Sequence, residues 1–367
     1  MRAPKSTSSP DYVIVGLVVI LTIFGLVMLA SASSDLARDR FSNSFHYLNN
    51  QLLHGLVLGA VGFLFGFFTY YRRWEKMALP LLIITIILML LIFSPLKFAA
   101  KGASRWIDFG VFTVQPAEIL KLTFLLYLAA WLSKNEKRSR SVGEGFLPFL
   151  ILVGIVMALI IIQPSTTTAL IIFASSLVTY FAAGARLRFL VGAVLLAALG
   201  LSVVVYFTPY RLERILTFIN PEANELSSGY HVNQSQMAIG SGGLFGVGYG
   251  NSTTKLRYLP EPIGDSIFAV IAEELGFVGG GLLIAAFGVL ILRGLALARH
   301  APDSFGRLLV TGFVSLIGIQ AFINVASVSG LIPFTGVPLP LISFGGTALA
   351  VFLTMSGIIV NVSRYRR

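Results

Sequence analysis

Ten apolar stretches recur along this chain, at residues 12–33, 52–71, 78–95, 111–133, 146–163, 166–183, 189–208, 266–292, 308–332 and 345–362. Most are close to the ~20 residues that carry a helix across a hydrocarbon layer. The runs are continuously apolar rather than alternating, which favours membrane-spanning helices over a barrel. Composition decides the same point: 56% of the 367 residues are hydrophobic and only 12% charged, about half the ~25% charged content of a soluble domain. The expected fold is therefore an all-α polytopic membrane protein of about ten transmembrane helices, forming a single integral membrane domain over residues 1–367. The first run is about as long as a span and nine more follow, so it reads as an anchor rather than a cleaved leader. With no cysteine, disulfide and thiol chemistry are excluded.

The formal charge of +11 invites a nucleic-acid reading, but its distribution argues against one. With an even number of spans, Arg2, Lys5, Arg72, Arg73, Lys76, Lys134, Lys137, Arg138, Arg140, Arg186, Arg188, Arg293, Arg299, Arg307, Arg364, Arg366 and Arg367 fall on one side, 17 of the 27 basic residues. That bias satisfies the positive-inside rule with both termini cytoplasmic. It also requires residues 146–183 to be two spans joined by a tight outer turn at Gln163-Pro164-Ser165. One kinked helix would put the Lys134–Arg140 cluster and the Arg186/Arg188 pair on opposite faces.

Most loops are short. The exception is an extracytoplasmic segment between spans seven and eight, about residues 209–264, which contains Arg211, Arg214, Asn220-Pro221, Gln234 and the glycine cluster from Gly240 to Gly250. Segments this long inside compact proteins are usually functional. Two further outer loops, 96–115 and 329–344, open on the same face. The glycine cluster lacks the spacing of a phosphate-binding loop, which leaves close packing at the membrane surface, or backbone amides facing a substrate. The four histidines (His46, His54, His231, His300) have no close helical spacing and there is no Cys, so no metal-ligand constellation is present. A Ser/His/Asp arrangement around His231 can be written down, but spacing does not support it.

Four of the 16 acidic residues, Glu261, Asp265, Glu273 and Glu274, crowd the start of span eight. Carboxylates beside a bilayer must be paired, solvated in a cavity or employed in chemistry. Asp265 sits near a helix N-terminus, where the dipole stabilises an anion; it reads as a helix cap or as a catalytic carboxylate. Glu273, eight residues on, is expected about 80° around the helix from Asp265 and Glu274 about 180° away, so the two cannot share one role, and at least one is expected to be structural. Glu118 and Lys121 share a face of span four and read either as a buried ion pair or as a cation offered to an anionic substrate. Arg105, Arg211, Arg214 and Lys255 lie in outer loops, as surface or lipid-headgroup contacts singly, or together as clamps for a diphosphate.

Several motifs resemble a known family: Lys101-Gly-Ala-Ser-Arg-Trp-Ile107, Gln115-Pro-Ala-Glu-Ile-Leu-Lys121, Gln163-Pro164, Gly229-Tyr230 with Gln234-Ser235, Ala238-Ile-Gly-Ser-Gly-Gly-Leu-Phe-Gly246, Leu259-Pro-Glu261, Asp265, Glu273-Glu-Leu-Gly276 and Pro338-Leu-Pro-Leu-Ile-Ser-Phe-Gly-Gly346. In this order they resemble the SEDS family, whose members include FtsW, RodA and SpoVE, with Gly-Val-Gly-Tyr-Gly-Asn-Ser closer to FtsW or SpoVE. The resemblance covers nearly the whole chain. Departures are Gly264-Asp265-Ser266 where the family usually has Thr-Asp-Phe, Ser165 where it commonly has Asp, and Phe344 where it often has Tyr.

The resemblance implies a peptidoglycan glycosyltransferase of the bacterial cytoplasmic membrane. Such an enzyme polymerises lipid II at the outer face with undecaprenyl diphosphate leaving, during cell division or elongation. Asp265 is then the expected general base. Arg105, Lys121, Arg211, Arg214, Lys255, Gln234 and Ser343 are expected to bind substrate, and Glu118, Glu261, Glu273 and Glu274 to support the site. No recognisable motif holds a cofactor; a divalent cation, Mg²⁺ or Mn²⁺, is expected only with the substrate diphosphate. Expected partners are a class B penicillin-binding protein, lipid II, other division or elongation proteins and membrane lipids, with no nucleic acid. The rival readings are a lipid II flippase and a non-catalytic division scaffold.

Overall fold

The computed structural model describes residues 8–93, 97–100, 103–108, 110, 113–135, 137–219, 228–256 and 258–366. Arg2, Lys5, Lys101, Asn220-Pro221, Arg257 and Arg367 lie outside them. In chain order the helices are α1 (Tyr12–Phe41), α2 (His46–Asn50) continuing through a π-helical turn at Gln51–Val57 into α3 (Leu58–Phe68), α4 (Tyr71–Leu91), α5 (Pro116–Ser133), α6 (Leu147–Ile162), α7 (Thr166–Ala182), α8 (Leu187–Tyr206), α9 (Pro209–Ile219), α10 (Ser228–Ser241), α11 (Ile267–Arg299), α12 (Ser304–Val328) and α13 (Gly346–Ser363). A small antiparallel sheet, β1 (Lys97–Ala100), β2 (Ala103–Asp108) and β3 (Thr113–Val114), forms in the first outer loop.

Among the described residues nine helical stretches are long and apolar enough to cross a membrane. The tenth expected span is present as α7, which at 17 residues is one turn shorter than most. Gln163, Pro164 and Ser165 separate α6 from α7, so residues 146–183 form two helices.

Burial orders the bundle. Helices α5, α12 and α13 bury 72–78% of their span and form its middle, whereas α8 buries 11% and leaves its apolar surface for lipid. Helix α3 and the π-helical turn before it close on α13 through small residues, Gly55 in the turn and Gly59, Gly62 and Gly66 in the helix. A Cβ on Gly66 would stand 2.9 Å from the Ile358 nitrogen and 3.0 Å from the Thr354 oxygen. Small residues at this spacing let helix backbones approach where no hydrophobic force acts between them.

The acidic span is not the continuous helix that its sequence suggests. Gly276 takes φ 68°, ψ −168° and interrupts α11 after its first two turns. The glycine cluster repairs the break. Val247 N and Gly248 N donate to the Glu273 and Glu274 carbonyls, both at 3.0 Å, while Phe277 N and Val278 N donate to the Gly243 and Leu244 carbonyls at 2.8 and 3.1 Å. Four backbone groups that the break would orphan are thereby satisfied. Close approach to the helix is why Gly246 carries no side chain, since a Cβ there would collide with the Glu274 carbonyl. The amides of Val247 and Gly248 are thus committed to the helix, and the cluster is a packing device.

Candidate active site

Asp265 stands just ahead of α11. The residue at the cap position is Ser266, and among the described residues its side chain makes no capping bond. The angular relation to Glu273 and Glu274 expected for a single helix therefore does not apply to Asp265. The approach to it is a tight turn in which Gly264 N and Ser266 N both donate to the Glu261 carbonyl, at 3.1 and 3.2 Å, with Glu261 itself at φ 53°. Asn324 of α12 donates to the Asp265 carbonyl at 2.8 Å and to the Val337 carbonyl at 2.7 Å. Ser343 donates to the Gly264 carbonyl at 2.7 Å and accepts from Leu339 N at 2.8 Å. Gln51 joins that scaffold, donating to the Ser343 carbonyl at 3.3 Å and accepting from Gly345 N at 2.9 Å. Residues from four distant parts of the chain thus hold the peptide on which Asp265 rides. Ser343 works beneath the site rather than on its surface.

Asp265 opens into an outward cavity of about 1110 Å³, whose walls include Asp35, Asp39, Arg40, His54, Arg105, Trp106, Lys255, Glu261, Gly336 and Thr347. Arg105 projects from β2 and donates from Nε to the Gln163 carbonyl at 3.2 Å and from Nη2 to the Pro164 carbonyl. Burial holds its basicity below the ordinary arginine range, and Arg214 and Arg211 push it the same way, opposed by Tyr210 and Asp265. Arg105, Arg211, Arg214 and Asp265 therefore belong to one electrostatic neighbourhood. Helix α9 supplies two of these cations. Arg211 donates to the Tyr210 hydroxyl at 3.2 Å, the Thr208 hydroxyl at 3.4 Å and the Ile161 carbonyl at 3.3 Å. Arg214 donates to the Phe334 carbonyl at 3.4 Å and lies 5.7 and 6.0 Å from the Tyr210 and Phe334 ring centres. Among the described residues none of these three guanidinium groups is matched by a salt bridge, and each has donors to spare among its five N–H groups.

The remaining sequence candidates are used elsewhere. Lys121 is fully buried and donates to Glu118 at 2.6 Å and Gln320 at 2.8 Å, beneath the Phe352 ring. The structure keeps it in the bundle core, away from the cavity wall. Lys255 reaches that wall, but its ammonium donates to Glu274 at 2.8 Å, Ser31 at 3.0 Å and the Gly250 carbonyl at 2.8 Å. All three ammonium protons are engaged, which removes it as a direct diphosphate clamp. Glu274 also lies 2.6 Å from the Ser31 hydroxyl on α1. Glu273 gathers the loop 252–254, accepting from Ser252 Oγ at 2.5 Å, Thr253 N at 3.0 Å, Thr254 N at 3.4 Å and Thr254 Oγ1. The two glutamates are thus bonded to different partners, Glu273 to the loop 252–254 and Glu274 to Lys255 and Ser31. Gln234 is half-buried on α10 and is not part of the cavity wall.

Sequence reasoning missed Gln51, Gln320 and Asn324. The available signal was an amide side chain inside an apolar run, which must find a partner. It also set aside His231, whose Nε2 lies 2.7 Å from Ser266 Oγ. Among the described residues no three His, Cys, Asp or Glu side chains gather as a metal-ligand set.

A polytopic helical bundle with a broken helix, and an outer cavity lined by several carboxylates, Asp265 among them, and by Arg105, with Arg211 and Arg214 in the field of that arginine, defines a membrane-embedded protein with a charged site at one face. The chain belongs to the FtsW/RodA/SpoVE family of cell cycle proteins, which it matches over residues 11–367. It is a multi-pass protein of the cytoplasmic membrane. It is 39% identical over 361 residues to stage V sporulation protein E of Bacillus subtilis, covering 98% of each chain. To the probable peptidoglycan glycosyltransferase FtsW of Trichlorobacter lovleyi it is 40% identical over 364 residues, covering 99% of this chain and 95% of that one. It is also similar to a chain of a peptidoglycan synthase complex that coordinates polymerization and crosslinking, with TM-score 0.82, 30% identity and coverage of 98% and 99%. Rod shape determining protein RodA of Thermus thermophilus gives TM-score 0.71 at 28% identity, covering 98% of each chain.

Proposed function

We infer that this chain is a peptidoglycan glycosyltransferase that extends glycan strands from lipid II at the outer membrane face, with Asp265 as general base. The observation that carries the reading is Asp265 in the wall of a cavity of about 1110 Å³ that it shares with Arg105. In the reaction the sugar 4-hydroxyl of one lipid-linked disaccharide attacks the anomeric carbon of the growing strand. The new glycosidic C–O bond forms as the bond to undecaprenyl diphosphate breaks. Asp265 takes the hydroxyl proton, a contribution of about 10²–10⁴-fold for a positioned base. Arg105, with Arg211 and Arg214 beside it, stabilises the negative charge that gathers on the leaving diphosphate. Apolar helix surfaces keep the polyprenyl tails in lipid.

Asp265 and Glu261 together offer too few oxygen ligands for a protein-held Mg²⁺ cage, so a divalent ion would be carried largely by the diphosphate itself and neutralise it. The natural partner is a class B penicillin-binding protein that crosslinks the emerging strand, as suits a chain so similar to one from a synthase complex. Purified full-length chain with that partner and lipid II, resolved on a glycan gel, tests the reading. Polymer is expected from the native chain and none from Asp265→Asn. Lipid II crossing liposomes without polymer would identify a flippase instead.

A further inference from the structure

Ser266 occupies the helix-start position of α11, where a serine ordinarily accepts a bond from the first-turn amides. Its hydroxyl is turned away from them, is fully buried, and lies 2.7 Å from His231 Nε2. A buried hydroxyl without a partner costs about 1–3 kcal/mol, so this contact decides the rotamer of the residue that follows Asp265. On the preceding side the Asp265 carbonyl is held by Asn324. The chain at Asp265 is therefore tied on both sides, by an amide from α12 on its own carbonyl and by an imidazole from α10 on the next side chain, and these ties set the Cα position and Cβ direction from which its carboxylate meets the cavity.

His231 is itself held in place. Its ring packs on Phe334, with centres 4.0 Å apart and planes inclined by 33°. Phe334 in turn carries Arg214 on its carbonyl and near its ring. A continuous line of contact runs from α9 through Phe334 and His231 to Ser266.

We propose that His231 is a positioning residue for Asp265, acting through the Ser266 hydroxyl. The proposal rests on Asp265 being the base of the polymerase reaction. A reacting group displaced by about 1 Å can lose about 10²-fold in rate, so loosening one of the two ties should cost turnover rather than substrate affinity.

The test is the initial polymerisation rate against lipid II concentration, using the purified full-length chain with its crosslinking partner. The forms compared are native, Asp265→Asn, His231→Ala, Ser266→Ala, the double His231→Ala/Ser266→Ala, and His231→Gln. Glutamine reaches about as far as imidazole Nε2 and can both donate and accept. Each alanine variant should lower kcat about tenfold with KM within about twofold, and the double should be no worse than the poorer single, because both remove one interaction. His231→Gln should recover at least half of the native kcat.

Native kcat in either alanine variant, additive losses in the double, a change confined to KM, or a glutamine variant as poor as alanine would each overturn the proposal while leaving the polymerase reading intact. If His231→Ala does not fold, Ser266→Ala and His231→Gln decide the same question. An active Asp265→Asn, or a native chain that makes no polymer, removes the catalytic reading and this inference with it.

Discussion

Glu274 and Asp265 stand nine residues apart at the outer end of the same span, yet they meet opposite electrostatic conditions. Glu274 is fully buried, 2.8 Å from Lys255, with Ser31 on its other side; Asp265 is half-buried at a cavity wall with arginines in its field. The same contrast divides the cations. Lys121 and Lys255 spend their charge on a carboxylate and their protons on oxygen partners. Arg105, Arg211 and Arg214 are held by carbonyls, hydroxyls and rings, which orient a guanidinium without neutralising it. An ion in an apolar interior must be paired or it will not stay there, so closed pairs report on assembly. Arg105, which lines the cavity, thereby keeps its charge available to a ligand there.

That contrast can be broken at several points. The largest expected effect is on activity: Asp265→Asn should lower polymerisation by about 10²-fold or more, with the unfolding midpoint in detergent unchanged. Glu274→Gln should do the reverse in kind, stranding Lys255 and costing about 3–5 kcal/mol in a denaturant titration. The paired change Lys255→Met/Glu274→Gln should recover much of that loss, which would not happen if Lys255 served the substrate. Next comes Gly246→Ala, which places a Cβ against the Glu274 carbonyl at a φ of +80°. It should lower stability by about 1–3 kcal/mol and speed hydrogen exchange at Val247 and Gly248, whose amides bridge the break. The smallest effect should come from Arg105→Lys, which keeps the charge but loses the planar fork. A fall in kcat of about tenfold, or about 1.4 kcal/mol of transition-state stabilisation, with melting unaltered, would confirm an open cation; a stability loss instead would move Arg105 into the closed class.

The bundle was legible because span length and the inner excess of basic residues are local, additive signals. Even the division of residues 146–183 followed from charge on its two flanks. The motif-bearing outer loops could be assigned to one face on the same grounds. What could not be read was the partner of each charge. Glu118 and Lys121 face each other by helical period alone, so their pairing was one of two open readings; Gln320, the third member, is 199 residues away. Glycines 240–250 were readable as packing residues, but not as the cover of a break at Gly276, because that break is stabilised by bonds between segments about 30 residues apart. Ser343 carried a family motif and so looked like a ligand contact, although its hydroxyl ties two loops together.

Hydrophobic run length determined the spans and their helical class, and charge bias their expected orientation, since each span meets the bilayer largely by itself. Tertiary structure decided which ions were closed and which were left open, and it set Ser266 against His231 instead of leaving it as an ordinary cap. The physical reason is that ion pairing and buried hydrogen bonding act over about 3 Å. Whether two groups come that close depends on the packing of the whole bundle, and local pattern has no access to it.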